Sequence, residues 1–353
     1  MADNAGEQAG AATAAVDVAE TKESEKVNFR KRRRLWYRDG NVIIVAEGVG
    51  FRVYRGILSK QSSVFKDIFR LPQGSSTAGQ ETYKGKPVIR VTDSSQDMQE
   101  LLSILCGGTS GWLDGADQGD WYTTRSILRM SHKYEIDDLL EEGKRRLRLR
   151  FPGDLKSWDR LYSSSAIVLG SPSDAISMAN MTRFLGLSRL HHRALYDCCQ
   201  LDTDMLVNGA YDDNLVREVL CSEDIRACID GRTKLAAASL RAMPSSWSDL
   251  VGPDQTSCTS NMSCMQAFID LGVSPLHRTK INFDPLCPSP SLKNLSRKLC
   301  KSCAKHYIKY DTNRRQEILT NLHKFLKLPE PADSDSESEP DSSSDSDSSM
   351  DED

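Results

Sequence analysis

The chain has 353 residues, of which 39% are hydrophobic and 27% charged, the balance of a globular protein long enough for two domains. Its longest unbroken apolar run, residues 42–46, is far too short to cross a bilayer, and no apolar stretch near Met1 reads as a secretory signal, so membrane and secreted classes are not expected. The net charge of −4 hides a split: residues 330–353 hold 11 acidic and no basic side chains, which leaves a body of 46 basic and 39 acidic residues, net +7.

Residues 1–28 are rich in Ala, Gly, Glu and Lys and almost lack large apolar side chains, so they are predicted to be disordered. The basic run Arg30-Lys31-Arg32-Arg33-Arg34 comes next and is grouped with them as a segment 1–35, read either as a solvated flank or as a nuclear import signal. Structured signals then begin. The β-branched run 42–45 and the alternating run 51–54 predict a hairpin turning near Gly48 and Gly50. Residues 57–69 predict helix, with Ser62 or Ser63 as an internal cap. After a polar loop comes a third short strand at 88–91. Asp93-Ser94 then opens a helix with Met98, Leu101, Leu102 and Leu105 at i, i+3, i+4, i+7, closed by Gly107-Gly108. Two more helices are predicted over 123–134 and 137–150. Leu139, Leu140, Gly143 and Leu147 line one face of the second, and Pro152 stops it. A hairpin, a helical pair, a strand and three helices make a small sheet capped by helices, an α+β unit.

The segments carrying that order are Asp39-Gly40-Asn41-Val42-Ile43-Ile44-Val45, Phe51-Arg52-Val53-Tyr54-Arg55-Gly56-Ile57-Leu58-Ser59, Ser63-Val64-Phe65-Lys66-Asp67-Ile68-Phe69, Pro87-Val88-Ile89-Arg90-Val91-Thr92-Asp93 and His132-Lys133-Tyr134-Glu135-Ile136-Asp137-Asp138-Leu139. Together they resemble the BTB/POZ domain, most closely the version found in large basidiomycete fungal families, over residues 36–152. The resemblance implies an interaction platform that forms homo- or hetero-oligomers with protein partners, with nuclear or transcriptional regulation as one setting. Some BTB proteins are substrate adaptors of cullin-type ubiquitin ligases, which is the alternative. Two departures stand out: Tyr54 replaces a common His, and the extra strand and helix that some BTB domains exchange between protomers are not read before residue 36. The expected core is Phe51, Val53, Leu58, Val64, Phe65, Phe69, Leu101, Leu102 and Tyr134.

Residues 153–329 read as a mainly helical C-terminal region, with no strand expected. Ser171-Pro172-Ser173-Asp174 carries a cap, a first-turn Pro and an acid three residues after the cap. Further helices are predicted to open at Ser188 and Ser222, with a short piece near 265–271 and a longer one over 292–326. Residues 330–353 are almost pure Asp, Glu and Ser and are predicted to be a solvated tail. There Ser334, Ser336, Ser338, Ser342, Ser344, Ser348 and Ser349 each precede an acid by three positions, the spacing of acid-directed kinases. A charged tail that only aids solubility is the other reading.

Ten cysteines without a secretory signal suggest a reducing compartment, and an intracellular protein of nucleus or cytoplasm is expected. Cys258-x5-Cys264 and Cys300-x2-Cys303 form two pairs that would close a tetrahedral zinc site, with Cys287 and His306 as alternative fourth ligands. The competing reading makes all of them core thiols, since x5 exceeds the usual spacing and x2 also puts two residues on one helix face. At least one of Cys198 and Cys199 is expected in the core, and His132 reads as a packing residue. No HExxH, G-x-S-x-G, GxGxxG or Walker pattern occurs, so no enzyme and no cofactor other than zinc are expected. Nucleic-acid binding is disfavoured because the acidic tail competes for the same cations.

Overall fold

The computed structural model describes residues 28–70, 81–107, 112, 120–163, 171–212, 215–240, 258–273, 284–287 and 297–331. The serines of the predicted kinase sites, the predicted disorder of 1–27 and the tail beyond Pro331 lie outside them. The protein is α+β and divides into two compact units, Met1–Thr109 and Ser110–Asp353.

In the first unit the sheet is built around β2 (Val42–Ala46), every residue of which is buried. A continuous β-branched run suits a strand covered on both faces, and burying each such Val or Ile contributes about 1.5–3 kcal/mol. β3 (Val49–Val53) pairs antiparallel with it through a two-residue turn, Glu47-Gly48, in which both residues have positive φ (45° and 71°). α1 (Arg55–Gln61) and α2 (Ser63–Ile68) meet at Ser62. Its N–H closes α1 on Leu58 O, and its hydroxyl accepts from Phe65 N–H at 3.0 Å to open α2. β4 (Thr82–Tyr83) and β5 (Lys86–Val91) come next, with β5 parallel to β2. α3 (Ser95–Gly107) starts where Ser94 Oγ accepts from Asp97 N–H, and it buries Met98, Leu101, Leu102 and Leu105 as the periodicity predicts.

The 1–35 expectation needs correction. Residues 30–36 are not a disordered flank but β1 (Arg30–Trp36), an edge strand parallel to β3 in a sheet of order β1-β3-β2-β5-β4. A strand therefore does precede residue 36. Five adjacent cations argue for coil on composition. The order comes instead from the strand's two ends: Phe29 packs on Trp36 and Tyr83, and Leu35 is 1% exposed. Of the expected core, Phe51, Val53, Leu58, Phe65, Leu101, Leu102 and Tyr134 are buried. Val64 and Phe69 are only half-buried: α2 is six residues long and turns one face inward, leaving Phe69 stacked on Phe65 beneath the Arg55 guanidinium.

The second unit opens with α4 (Trp121–Tyr134), capped by Asp120, and α5 (Asp137–Arg150). They pack closely because Gly143 lies on Leu128, where a Cβ would come within 2.5 Å of the Leu128 side chain. α6 (Leu155–Ser163) precedes α7 (Pro172–Phe184), whose predicted capping box between Ser171 and Asp174 is formed. Gly186, at φ 69°, turns the chain into α8 (Ser188–Cys198). Next in the chain are α9 (Thr203–Asn208), the hairpin β6 (Ala210–Tyr211) and β7 (Arg217–Glu218), and α10 (Ser222–Leu240). The hairpin corrects the all-helical expectation. It is anchored by the half-buried Arg125, whose guanidinium reaches Glu218 at 2.6 Å and Asp212 at 3.5 Å, a long-range cause invisible to local pattern. α11 (Asn261–Val273), α12 (Lys301–Thr320) and α13 (Leu322–Leu326) complete the described chain. One core joins Leu128 and Leu147 of α4 and α5 to Trp158, Ile176, Leu195, Tyr196, Leu235 and Leu322, so these two helices share a core with the later ones. No described helix is long and apolar enough to cross a membrane.

Candidate metal centre

Both cysteine pairs sit at helix beginnings. Cys258 lies on the approach to α11, and Cys264 is in its first turn, its N–H bonded to Ser260 O at 2.9 Å. Cys300 is the N-cap of α12, with extended backbone (φ −61°, ψ 159°), and Cys303 falls in the first turn. The x2 spacing is thus a cap-to-first-turn spacing, which turns both side chains to one side of the helix start. The x5 spacing works because an irregular segment, not a helix, leads from Cys258 into α11.

The four sulphurs converge: all lie within 4.8 Å of one another. Cys300 and Cys258 are 4.0 Å apart, Sγ to Sγ. Four ligands about 2.3 Å from one tetrahedral zinc would be roughly 3.8 Å apart, so only small side-chain rotations separate this arrangement from a closed site. The alternative ligands are not part of the group. His306 is half-buried further along α12, and the Cys287 N–H donates to Asp284 Oδ1 at 3.0 Å.

Backbone amides supply the electrostatics. The Cys300 N–H donates to Cys264 Sγ at 3.1 Å, a bond suited to a thiolate acceptor. The Cys303 backbone amide, with that of Thr259, holds the Cys300 thiol down to about 6 despite partial burial. Burial pushes Cys264 and Cys303 up, and neighbouring sulphurs push the same way, as like groups sharing one site do. A divalent cation at the centre would relieve that repulsion. Around the sulphurs, Ala267, Leu299 and Tyr307 form a small apolar core with Cys264 and Cys303. The thiols therefore line a core and face one another at once, so the core reading and the ligand reading describe the same side chains. Four cysteines placed in this way can hold a metal ion.

The other cysteines behave differently. Cys198 and Cys199 are both fully buried, as is Cys228. Cys198 donates to Ala175 O, Cys199 to Cys228 O and Cys228 to Leu195 O, at 3.4, 3.7 and 3.6 Å. Burial pushes the Cys198 thiol well up, and its neighbour Cys199 together with burial does the same to Cys228.

The sequence did not single out a polar network behind His191. His191 Nε2 lies 3.0 Å from Asp224 Oδ1, and Nδ1 lies 3.2 Å from Thr182 Oγ1. The order hydroxyl–imidazole–carboxylate imitates a nucleophilic triad. The Thr182 hydroxyl is wholly buried, however, and also lies 2.9 Å from Ala179 O and 3.0 Å from Met178 O, so it has no face to offer a substrate. Arg183 clamps Asp224 from a second direction, and these partners hold the buried carboxyl well below its usual range. The network ties α7, α8 and α10 together. His132 is exposed rather than packed in a core: its ring meets that of Phe184 edge-on, and Phe184 is itself 54% exposed. No family model matches the chain, and neither does any curated protein.

Proposed function

We propose that this chain is a non-enzymatic protein-interaction protein, with a BTB/POZ-like unit over residues 36–152 for homo- or hetero-oligomerisation and a structural zinc on Cys258, Cys264, Cys300 and Cys303. The observation that carries the interaction reading is the element order. The β2–β3 hairpin, α1, α2, β5, α3, α4 and α5 lie on the segments that resemble that domain, with β5 returning parallel to β2. Binding on this reading comes from side chains on helix faces packing against a second copy or partner, with polar rims setting specificity. The test is the native mass of the full chain by light scattering at tens of micromolar. A dimer or larger particle is expected, and a strict monomer would overturn the oligomerisation reading. The whole chain is the proper sample because α4 and α5 share their core with the later helices.

The zinc reading is supported by the donor set. Four thiolates close a tetrahedral shell and leave no position for water or substrate, which is the chemistry of a structural site. The ion would link the starts of α11 and α12, two helices 13 and 20 residues long that among the described residues share a small core. Atomic emission on protein purified without added metal should give one zinc per chain. Metal-free protein of unchanged stability would remove the centre from the proposal.

A further inference from the structure

We propose that Cys258 and Cys300 are a site of oxidation by hydrogen peroxide, which joins them in a disulfide between the approach to α11 and the start of α12 and so expels a metal ion held there. The inference rests on the metal-centre reading for the ion that leaves; the bridge itself needs only the placement of the sulphurs.

The four thiols of the centre are not equivalent. Cys264 and Cys303 are 0% and 1% exposed, enclosed with Ala267, Leu299 and Tyr307. Cys258 and Cys300 are half-buried, so a small solute can reach them. These two outer sulphurs lie 4.0 Å apart, and closing a bond between them takes a further approach of about 2 Å. The backbone on their side can supply that movement. Cys258 lies in an irregular segment, followed by the exposed Thr259 and Ser260, and Cys300 is an extended N-cap. The Thr259 amide already donates to the Cys300 sulphur, which holds the Cys258 segment against the start of α12. Cys264 and Cys303 are fixed in the first turns of their helices, where the same approach would displace helical backbone. Exposed Arg297, Lys298 and Lys301 flank Cys300 and favour the thiolate form that attacks peroxide. The other half-buried thiols are poorer nucleophiles: burial pushes Cys221 and Cys287 up, and Cys106 up to about 11.

The chemistry runs in two displacements. One outer sulphur, as thiolate, attacks peroxide: an S–O bond forms, the O–O bond breaks and hydroxide leaves, giving a sulfenic acid. The other outer sulphur attacks that sulphur: the S–S bond forms, the S–O bond breaks and a second hydroxide leaves. Two thiols and one peroxide become one disulfide and two waters, the thiols losing two electrons and the peroxide gaining them. Starting from metal-bound thiolates, solvent supplies the two protons. An ion that loses two of four sulphur donors is no longer held in a closed shell.

The test treats the full chain near neutral pH with about a tenfold excess of hydrogen peroxide and follows zinc, free thiols and disulfide-mapped peptides together. Free thiols, ten at the start, should fall by two, and the mapped bridge should join Cys258 to Cys300. The pair should react about tenfold faster than Cys106, Cys221 or Cys287. In zinc-loaded protein each bridge should release one ion, and dithiothreitol should restore both thiols and zinc binding. No substituted protein is needed, so misfolding of a variant cannot obscure the result. Zinc content before oxidation separates the two readings. A metal-free chain that forms the Cys258–Cys300 bridge supports the oxidation site and overturns the metal centre; a zinc-loaded chain that forms no such bridge does the reverse. A bridge from Cys300 to Cys303 or from Cys258 to Cys264, or first oxidation at Cys106, Cys221 or Cys287, would also overturn the proposal.

Discussion

Two groups of cysteines show how surroundings decide what one side chain is for. In the helical core, Cys198, Cys199 and Cys228 donate their S–H groups to helix carbonyls and sit among leucines. At the starts of α11 and α12 the polarity is reversed. An N–H donates to sulphur, the sulphurs face one another, and Cys300 is held down to about 6. Thiols that donate to carbonyls behave as small hydrophobes, and sulphurs that accept from amides at a helix N-terminus behave as ligands. Burial does not separate the groups, because Cys264 and Cys303 are as buried as the core trio. The sign of the local dipole does.

The contrast can be broken most forcefully at Cys303. Cys303→Ser should abolish stoichiometric zinc and remove most of the binding energy of the site, which in isolated zinc-finger peptides is about 10 kcal/mol at pH 7. Because the ion joins only two helices here, the loss should appear as collapse of hydrogen-exchange protection in α11 and the first turn of α12. Protection retained there would show that the small core suffices. Acid should act next. A thiol held near 6, below the ordinary value of about 8.5, adds stability that is present above the ordinary value and lost as pH falls through about 6. Metal, monitored with a colorimetric indicator, should be retained at pH 8 and released in acid, where protons compete with the ion for the four sulphurs. The trio should show no such transition.

Cys228→Ala should cost about 2 kcal/mol by denaturant titration and leave the zinc content untouched. Loss of metal in that variant would mean that the two groups are coupled. The smallest effect is expected from Gly231→Ala beside the trio. The added methyl would sit 2.8 Å from Leu326 Cδ2 and 3.6 Å from Cys199 Sγ, a clash that one flexible leucine can absorb for about 1 kcal/mol. A larger loss would show that the core around the trio is less able to shift than a leucine tip suggests.

Local chemistry made much of this protein legible. The turn at Gly48, the caps at Ser62, Ser94 and Ser171, and the heptad-like spacing of Met98 to Leu105 each rest on contacts within a few residues, so the sequence alone determined them. The four candidate ligands were also legible as two pairs. That the pairs meet was not, because 35 residues separate Cys264 from Cys300 and only folding brings two helix starts together. β1 was missed because five cations outweigh strand propensity in any short window, whereas Phe29 on Gly50 and buried Leu35 supply the anchoring from outside the run. The β6–β7 hairpin needed Arg125, nearly a hundred residues upstream, to reach Glu218. The packing of α4 and α5 with the later helices depended on which leucines face a common core. Sequence determines what a residue can do with its neighbours in the chain; tertiary structure decides which distant groups become neighbours, and both the metal centre and the basic edge strand are decisions of that second kind.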